Sequence, residues 1–217
     1  MLALSAAAAS AAGCGSAAVS ELPAAAEPPR SPAPAVPAAG ETFPADTAPE
    51  GLALPGATRQ PGTASLRDGR LLAVVSGRER AVEILDGRTR ERLSRVHAGV
   101  GPTHIACRET GPCYVLDTQG NGLLVLVVSA DGRAARISRR VYLPGGPYGI
   151  ALDERRARLW VTAPGRNELS ELPAHGRPRV VRTLPTVRGP DAVAVDARTG
   201  AVVVTSRAAG LVQVVRP

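Results

Sequence analysis

The stretch GGPYGIALDERRARLWVTAPGRNELSEL, residues 145–172, carries a pattern that most of this chain repeats. An apolar run at 150–152 stops at a charged turn, and a second run at 159–161 follows. A polar corner at Arg166 and Asn167 then leads into a third run, in which apolar and polar residues alternate. Short apolar runs bounded by Gly, Pro, Asn and charged residues predict β-strands joined by tight turns. The same order of runs recurs after Gly101 and Gly189, and in a degenerate copy from Gln60. The prolines that lead the copies, Pro61, Pro102, Pro147 and Pro190, are separated by 41, 45 and 43 residues. The second runs are 71–75, 114–116, 159–161 and 202–204, and a fourth, arginine-rich run closes three of the copies (RERLSRV, ARISRRVYL, PRVVRTL).

Four short strands every 40–50 residues describe the blades of a β-propeller, strands a to d running from axis to periphery. The fold class expected is therefore all-β, a small propeller of about four four-stranded blades over residues 51–217. The last copy stops after its third run, LVQVVRP. The segment GLALPGATRQP before the first copy resembles RTLPTVRGP of the third, so a strand around 52–54 is expected to complete the fourth blade. Closure by strands from both ends would remove open sheet edges and make Pro217 the domain's natural end. A ring closed within one chain is the favoured arrangement, and a pair of chains forming a larger assembly is the alternative. These repeats resemble the YVTN/NHL-type propellers of extracytoplasmic bacterial proteins, and GPYGIALD…LWVT is similar to blades of the streptogramin lyase type.

Propeller topology puts the d–a and b–c loops on one rim and the a–b and c–d turns on the other. Residues just after the repeat prolines then sit near the central mouth: Thr63, Thr103 and His104, Tyr148, and Asp191. The b–c corners of the same rim contribute Arg78, Asn121, Arg166 with Asn167, and Arg207. A polar centre with an arginine surround suits an anionic small molecule or sugar polymer, although Arg, Asn and Gly are also ordinary residues of exposed turns. The candidate ligand-binding set is thus Thr103, His104, Tyr148, Asp191, Arg78, Arg166 and Arg207. His104 is the leading chemical candidate, while His97 and His175 fall away from the mouth. Asp153 and Asp196 each stand six residues beyond a repeat proline, and read better as turn caps than as calcium ligands.

Charge and composition narrow the picture. Residues 51–217 hold 25 arginines against 14 acidic residues, a net of +11, and would attract anionic partners. Aromatic residues are 2% of the chain, too few for base-stacking platforms. With no recognition helix either, nucleic acid is not an expected partner. Residues 1–14, MLALSAAAASAAGC, resemble a bacterial lipoprotein signal ending at a lipidated Cys14, a plain cleaved signal peptide or an alanine-rich disordered start being the alternatives. Residues 15–50, rich in Ala and Pro, read as a tether that cannot bury enough apolar area to fold. This places the domain outside the cytoplasmic membrane. Cys107 and Cys113 flank RETGP, a spacing that suits a hairpin disulfide in an exported protein, two buried thiols being the alternative. No cofactor and no metal site is expected. The favoured reading is a binding or scaffold module for an envelope ligand or protein, not an enzyme. The other reading is a lyase- or lactonase-like enzyme, in which His104 and Asp191 would act as acid and base beside an axial metal.

Overall fold

The computed structural model describes residues 62–216, which form fifteen strands and no helix. Three four-stranded antiparallel sheets and one three-stranded sheet follow one another along the chain. The first blade holds β1 (Thr63–Leu66), β2 (Leu71–Ser76), β3 (Ala81–Asp86) and β4 (Arg92–His97). The second holds β5 (Pro102–Cys107), β6 (Cys113–Asp117), β7 (Gly122–Val128) and β8 (Ala135–Tyr142). The third is β9 (Ile150–Asp153), β10 (Arg158–Ala163), β11 (Glu168–Pro173) and β12 (Arg182–Pro185). The fourth is β13 (Ala192–Val195), β14 (Val202–Ser206) and β15 (Leu211–Val215). Each blade is a meander in which consecutive strands pair, so the expected strand runs appear in order, four in each of the first three blades and three in the last.

The blades stack because each second and third strand is apolar on both faces. In β6 one face, Cys113 and Val115, turns back to the first blade, while Tyr114 and Leu116 turn to the third. In β10 the same division sends Leu159 and Val161 to the second blade and Trp160 to the fourth. Strands buried on both faces read as continuous apolar runs instead of alternating ones. Three apolar cores result, one at each successive joint. The inner strands β1, β5, β9 and β13 lie side by side around the inside of the arc.

Closure of the fourth blade onto the first, expected above, is not formed by the described residues. Cross-strand register puts Val203 with Val214 and Thr205 with Val212 on the face of the fourth blade turned away from the third. There Val212 and Val214 are 66% and 57% exposed, and no fourth core links β13 to β1 among the described residues. The strand expected at 52–54 lies outside the described residues, as do Cys14 and the tether. No helix among them is long and apolar enough to cross a membrane.

The cysteines behave as the hairpin reading required. Cys107 and Cys113 are opposed in the β5–β6 register and form a disulfide. The aspartates at the ends of the inner strands cap turns. Asp153 accepts the Arg156 N–H at 3.0 Å, and Asp196 accepts the Arg198 N–H at 2.8 Å.

Candidate functional site at the inner rim

The rim is built by the corner that ends each b–c turn. The final corner residue is left-handed in every blade: Arg80 (φ 53°), Asn121 (φ 51°), Asn167 (φ 54°) and Gly210 (φ 64°). Gly and Asn tolerate this conformation best. Its carbonyl accepts the incoming d–a link, as with Asn121 from Leu143 (2.9 Å) and Asn167 from Thr186 (2.8 Å). The asparagine side chains add a second tie. Asn121 Oδ1 accepts the Gly146 N–H at 2.9 Å, and Asn167 Oδ1 accepts the Gly189 N–H at 2.8 Å. These two corner residues hold one blade to the start of the next, and their amide oxygens are occupied.

Inside the corners, the first strands come close together. Ile105, Ile150, Val193 and Thr63 pair with Val115, Val161, Val204 and Val74, so the residues just before them are equivalent: His104, Gly149, Ala192 and Gly62. A Cβ on Gly149 would stand 3.1 Å from Ala192 Cα, and one on Gly62 would stand 2.6 Å from the Thr103 carbonyl oxygen. Small residues are therefore needed where neighbouring backbones approach. The second blade breaks this rule, placing His104 at the crowded position. The β5–β6 register shifts between Pro102 and Ile105, and this irregularity makes the room.

His104 lies edge-on to Tyr148, with ring centroids 4.6 Å apart and planes at 78°. Its Nδ1 is buried and has no hydrogen-bond partner. Burial pushes the imidazole pKa below its ordinary value, partly countered by the nearby Tyr148 main chain. The ring is thereby kept neutral near pH 7. Burial likewise raises the Tyr148 phenol. Next along the rim, Asp191 accepts from Arg207 Nε at 2.7 Å and from Thr205 Oγ1 at 3.4 Å. Thr103 shares a 2.7 Å hydrogen bond with Thr118, which donates to the Pro147 carbonyl at 2.7 Å.

The structure thus brings Thr103, His104 and Tyr148 together and sets the Asp191–Arg207 pair beyond them. Arg166 lies elsewhere, paired with Glu168 at 2.9 Å. Arg78 is exposed on the first blade and has no ion pair among the described residues. His97 and His175 are both exposed, away from this cluster. Among the described residues, no three His, Cys, Asp or Glu side chains converge as a metal site would require.

Sequence reasoning missed three features. One is a cleft of about 260 Å³ between the second and third blades, whose lining includes Leu143, Pro147, Val161, Arg166, Glu168 and Thr183. It forms where the Leu143–Pro144 link bridges the joint, which no local pattern marks. The second is Asp117, fully buried at the end of β6. Its Oδ1 accepts the N–H groups of Val100 (3.0 Å), Gly101 (2.8 Å) and Gly120 (3.1 Å), and its Oδ2 pairs with Arg140 at 2.9 Å. Aligned copies have Ser76, Ala163 and Ser206 here, so a lone acid at that place was a usable signal. The third is buried Glu171, held by Arg158 and by Arg182 (2.9 Å), whose guanidinium also lies 5.6 Å from the Trp160 ring centroid.

Solved structures with this arrangement are β-propellers. The β-propeller domain of Cps50 (Swd1) from Myceliophteria thermophila superposes with a TM-score of 0.61 at 14% identity, over 73% of this chain and 52% of that chain. A putative 6-phosphogluconolactonase from Bacteroides uniformis gives 0.54 at 15% identity, over 70% and 55%. Streptogramin B lyase gives 0.51 at 15% identity, over 76% and 57%. The chain spans about half the length of these structures. Identities this low establish the fold alone. No family model and no curated protein matches the sequence.

Proposed function

We propose that this chain is a binding or scaffold propeller of the cell envelope. Its inner rim at His104, Tyr148, Asp191 and Arg207 contacts an anionic ligand or an acidic protein surface. The observation that carries the reading is the state of the rim's ionisable groups. Asp191 is engaged by Arg207, and His104 is held neutral with its Nδ1 unpartnered. A buried nitrogen without a partner is costly to leave unmade, and a ligand atom reaching it would remove that cost. Arg207, 64% exposed at its side chain, keeps guanidinium N–H groups free for an anion. The Swd1 β-propeller domain shares the fold.

Export and anchoring belong to the same proposal. A lipid at Cys14 and the tether at 15–50 would hold a strongly basic domain near the membrane surface. The repeats' likeness to YVTN/NHL-type blades and the disulfide at Cys107–Cys113 support an oxidising compartment outside the cytoplasm. Radiolabelled palmitate should enter the wild type and not Cys14→Ser; labelling of the variant would remove the anchor from the proposal.

The rim is tested by calorimetric titration of the full chain with polyglucuronate as an anionic glycan probe. Binding should weaken at least tenfold in Arg207→Gln and in His104→Phe, and should fall with added salt. Equal affinity in all three proteins rejects the rim. The second reading, a lyase- or lactonase-like enzyme, draws on the fold shared with streptogramin B lyase and on the unpartnered His104 nitrogen. Turnover of a streptogramin or a lactone that disappears in His104→Ala would favour it over the binding module.

A further inference from the structure

We propose that the cleft between the second and third blades binds a small apolar α-amino acid of leucine size, its two charged groups held by Arg166 and Glu168. The site is separate from the His104 rim, and its ligand is independent of what binds there.

Equivalent joints between blades differ at this place. Val115 and Val161 are equivalent, and their register partners on the third strands are Leu124 and Ser170. Leu124 pairs in turn with Arg140, and Ser170 with Thr183. Two residues beyond the valines, Asp117 stands where the third blade has Ala163. Between the first and second blades, Leu124 lies in the core and Arg140 reaches Asp117 at 2.9 Å, so the space is filled. Between the third and fourth, Gln213 takes the place of Ser170, and its side chain bridges the Val187 N–H and the Pro185 carbonyl. The joint between the second and third blades has serine, threonine and alanine at the three positions, and the volume lost there is the cleft of about 260 Å³. Protein interiors are close-packed and a gap in a joint costs stability. A ligand that fills it would offset that cost.

The lining sets the chemistry of that ligand. Leu143, Pro147 and Val161 supply an apolar wall. Ser170 is buried against it, and its hydroxyl has no hydrogen-bond partner among the described residues. At the mouth, Arg166 Nε donates to Glu168 Oε2 at 2.9 Å. That is the one side-chain hydrogen bond of either residue among the described residues, so the Arg166 Nη groups and Glu168 Oε1 remain available. The Arg166 stem is held in place by lying across Gly145, where a Cβ would stand 2.6 Å from Arg166 Cγ. A fixed cation and a fixed anion therefore stand side by side at the edge of an apolar pocket. An α-amino acid is the complement, with carboxylate and ammonium on one carbon and a side chain to enter the pocket. The carboxylate accepts from Arg166 and the ammonium donates to Glu168. A simple anion would meet the Glu168 charge, and a simple cation that of Arg166. The volume lies just below that of drug-sized pockets, about 300–1,000 Å³, which suits a body of leucine size.

The test is calorimetric titration of the full chain with L-leucine, for which saturable binding at one site per chain is expected. 4-Methylpentanoate and 3-methylbutylamine, each lacking one of the two charges, should bind at least about tenfold more weakly. Arg166→Gln, at an exposed corner, should weaken leucine binding by about the same factor. Ser170→Leu installs the residue that fills the equivalent place in the second blade, and should abolish binding while keeping the far-ultraviolet β signal. The proposal is overturned by no saturable heat up to about 10 mM leucine, a concentration at which a millimolar Kd would show. Equal affinity for the acid or the amine overturns it as well, and so does unchanged affinity in Arg166→Gln or in folded Ser170→Leu.

Discussion

The second and fourth blades are built from the same repeat, yet they are buried very differently. In the second, β6 is buried at every residue and β7 at all but one. In the fourth, β14 alternates between buried and half-buried, and β15 is exposed or half-exposed throughout. Both sequences are apolar at consecutive positions, CYVLD against VVVTS, so composition does not make the difference. Position does: among the described residues the second blade has neighbours on two faces, and the fourth on one. A propeller blade is half of two joints, and its stability is largely that of the joints it takes part in.

Side chains follow the same division. The two-sided blade carries the disulfide, the buried Asp117 with its three main-chain donors, and the Asn121 tie to the third blade. The one-sided blade is joined inward by valines, by Asn167, and by Gln213, whose side chain accepts the Val187 N–H at 2.9 Å. Branched aliphatics fill a single joint, whereas the middle of the arc uses Tyr114 and Trp160, the bulkiest fully buried side chains.

The largest break in this comparison should come from Asp117→Ala. It leaves three main-chain N–H groups, the Gly101 one fully buried, and the half-exposed Arg140 guanidinium without their acceptor. Leaving such donors unmade costs about 3 kcal/mol. Chemical denaturation should show that loss, while Ser206→Ala, at the equivalent place in the fourth blade, should cost about 1 kcal/mol. Equal losses would mean that Asp117 is not the staple of the second blade. The disulfide comes next. Closing a short loop limits the unfolded chain, so Cys107→Ser with Cys113→Ser should lower stability by about 2 kcal/mol. An unchanged denaturation midpoint would show that the β5–β6 pairing holds without the bridge.

These sites also show how far the sequence could be read. Blade number, strand order, turn-capping aspartates and the hairpin cystine all follow from local periodicity and spacing, and the structure carries each of them. The rim assignment followed from topology, and it did bring Thr103, His104 and Tyr148 together. Arg166 fell outside that group because a corner arginine is a long side chain with several rotamers, and its partner Glu168 lies only two residues away. Asn121 and Asn167 looked like rim polarity and proved to be ties between blades, because a left-handed corner favours asparagine for its backbone. Closure was the least legible feature. A period of 41–45 residues fixes the blade but is silent on the angle between blades, which depends on side-chain volume at the joints.

A smaller effect separates the inner joints from one another. Asn121→Gly and Asn167→Gly keep the left-handed corner and remove only the side-chain bond to the next blade, so each should cost about 1 kcal/mol. If the one-sided blade leans more on its tie, hydrogen exchange in β13–β15 should rise further in Asn167→Gly than exchange in β9–β12 does in Asn121→Gly. Identical changes would show that the two ties are interchangeable and that the difference between the blades lies in their cores alone.

The smallest effect, and the sharpest for the rim, is in pH. The folded state holds His104 below the ordinary imidazole value of about 6.5, chiefly through burial. Below that value the unfolded chain binds a proton that the folded chain resists. The contribution is therefore complete above pH 6.5 and is lost as pH falls from there toward the lowered folded value. Stability between pH 7.5 and 5 should accordingly drop more in the wild type than in His104→Phe, which keeps a ring beside Tyr148 without the titrating group. Coincident profiles for the wild type and His104→Phe would place His104 in solvent, and the crowded inner strand would then need another explanation for its shifted register.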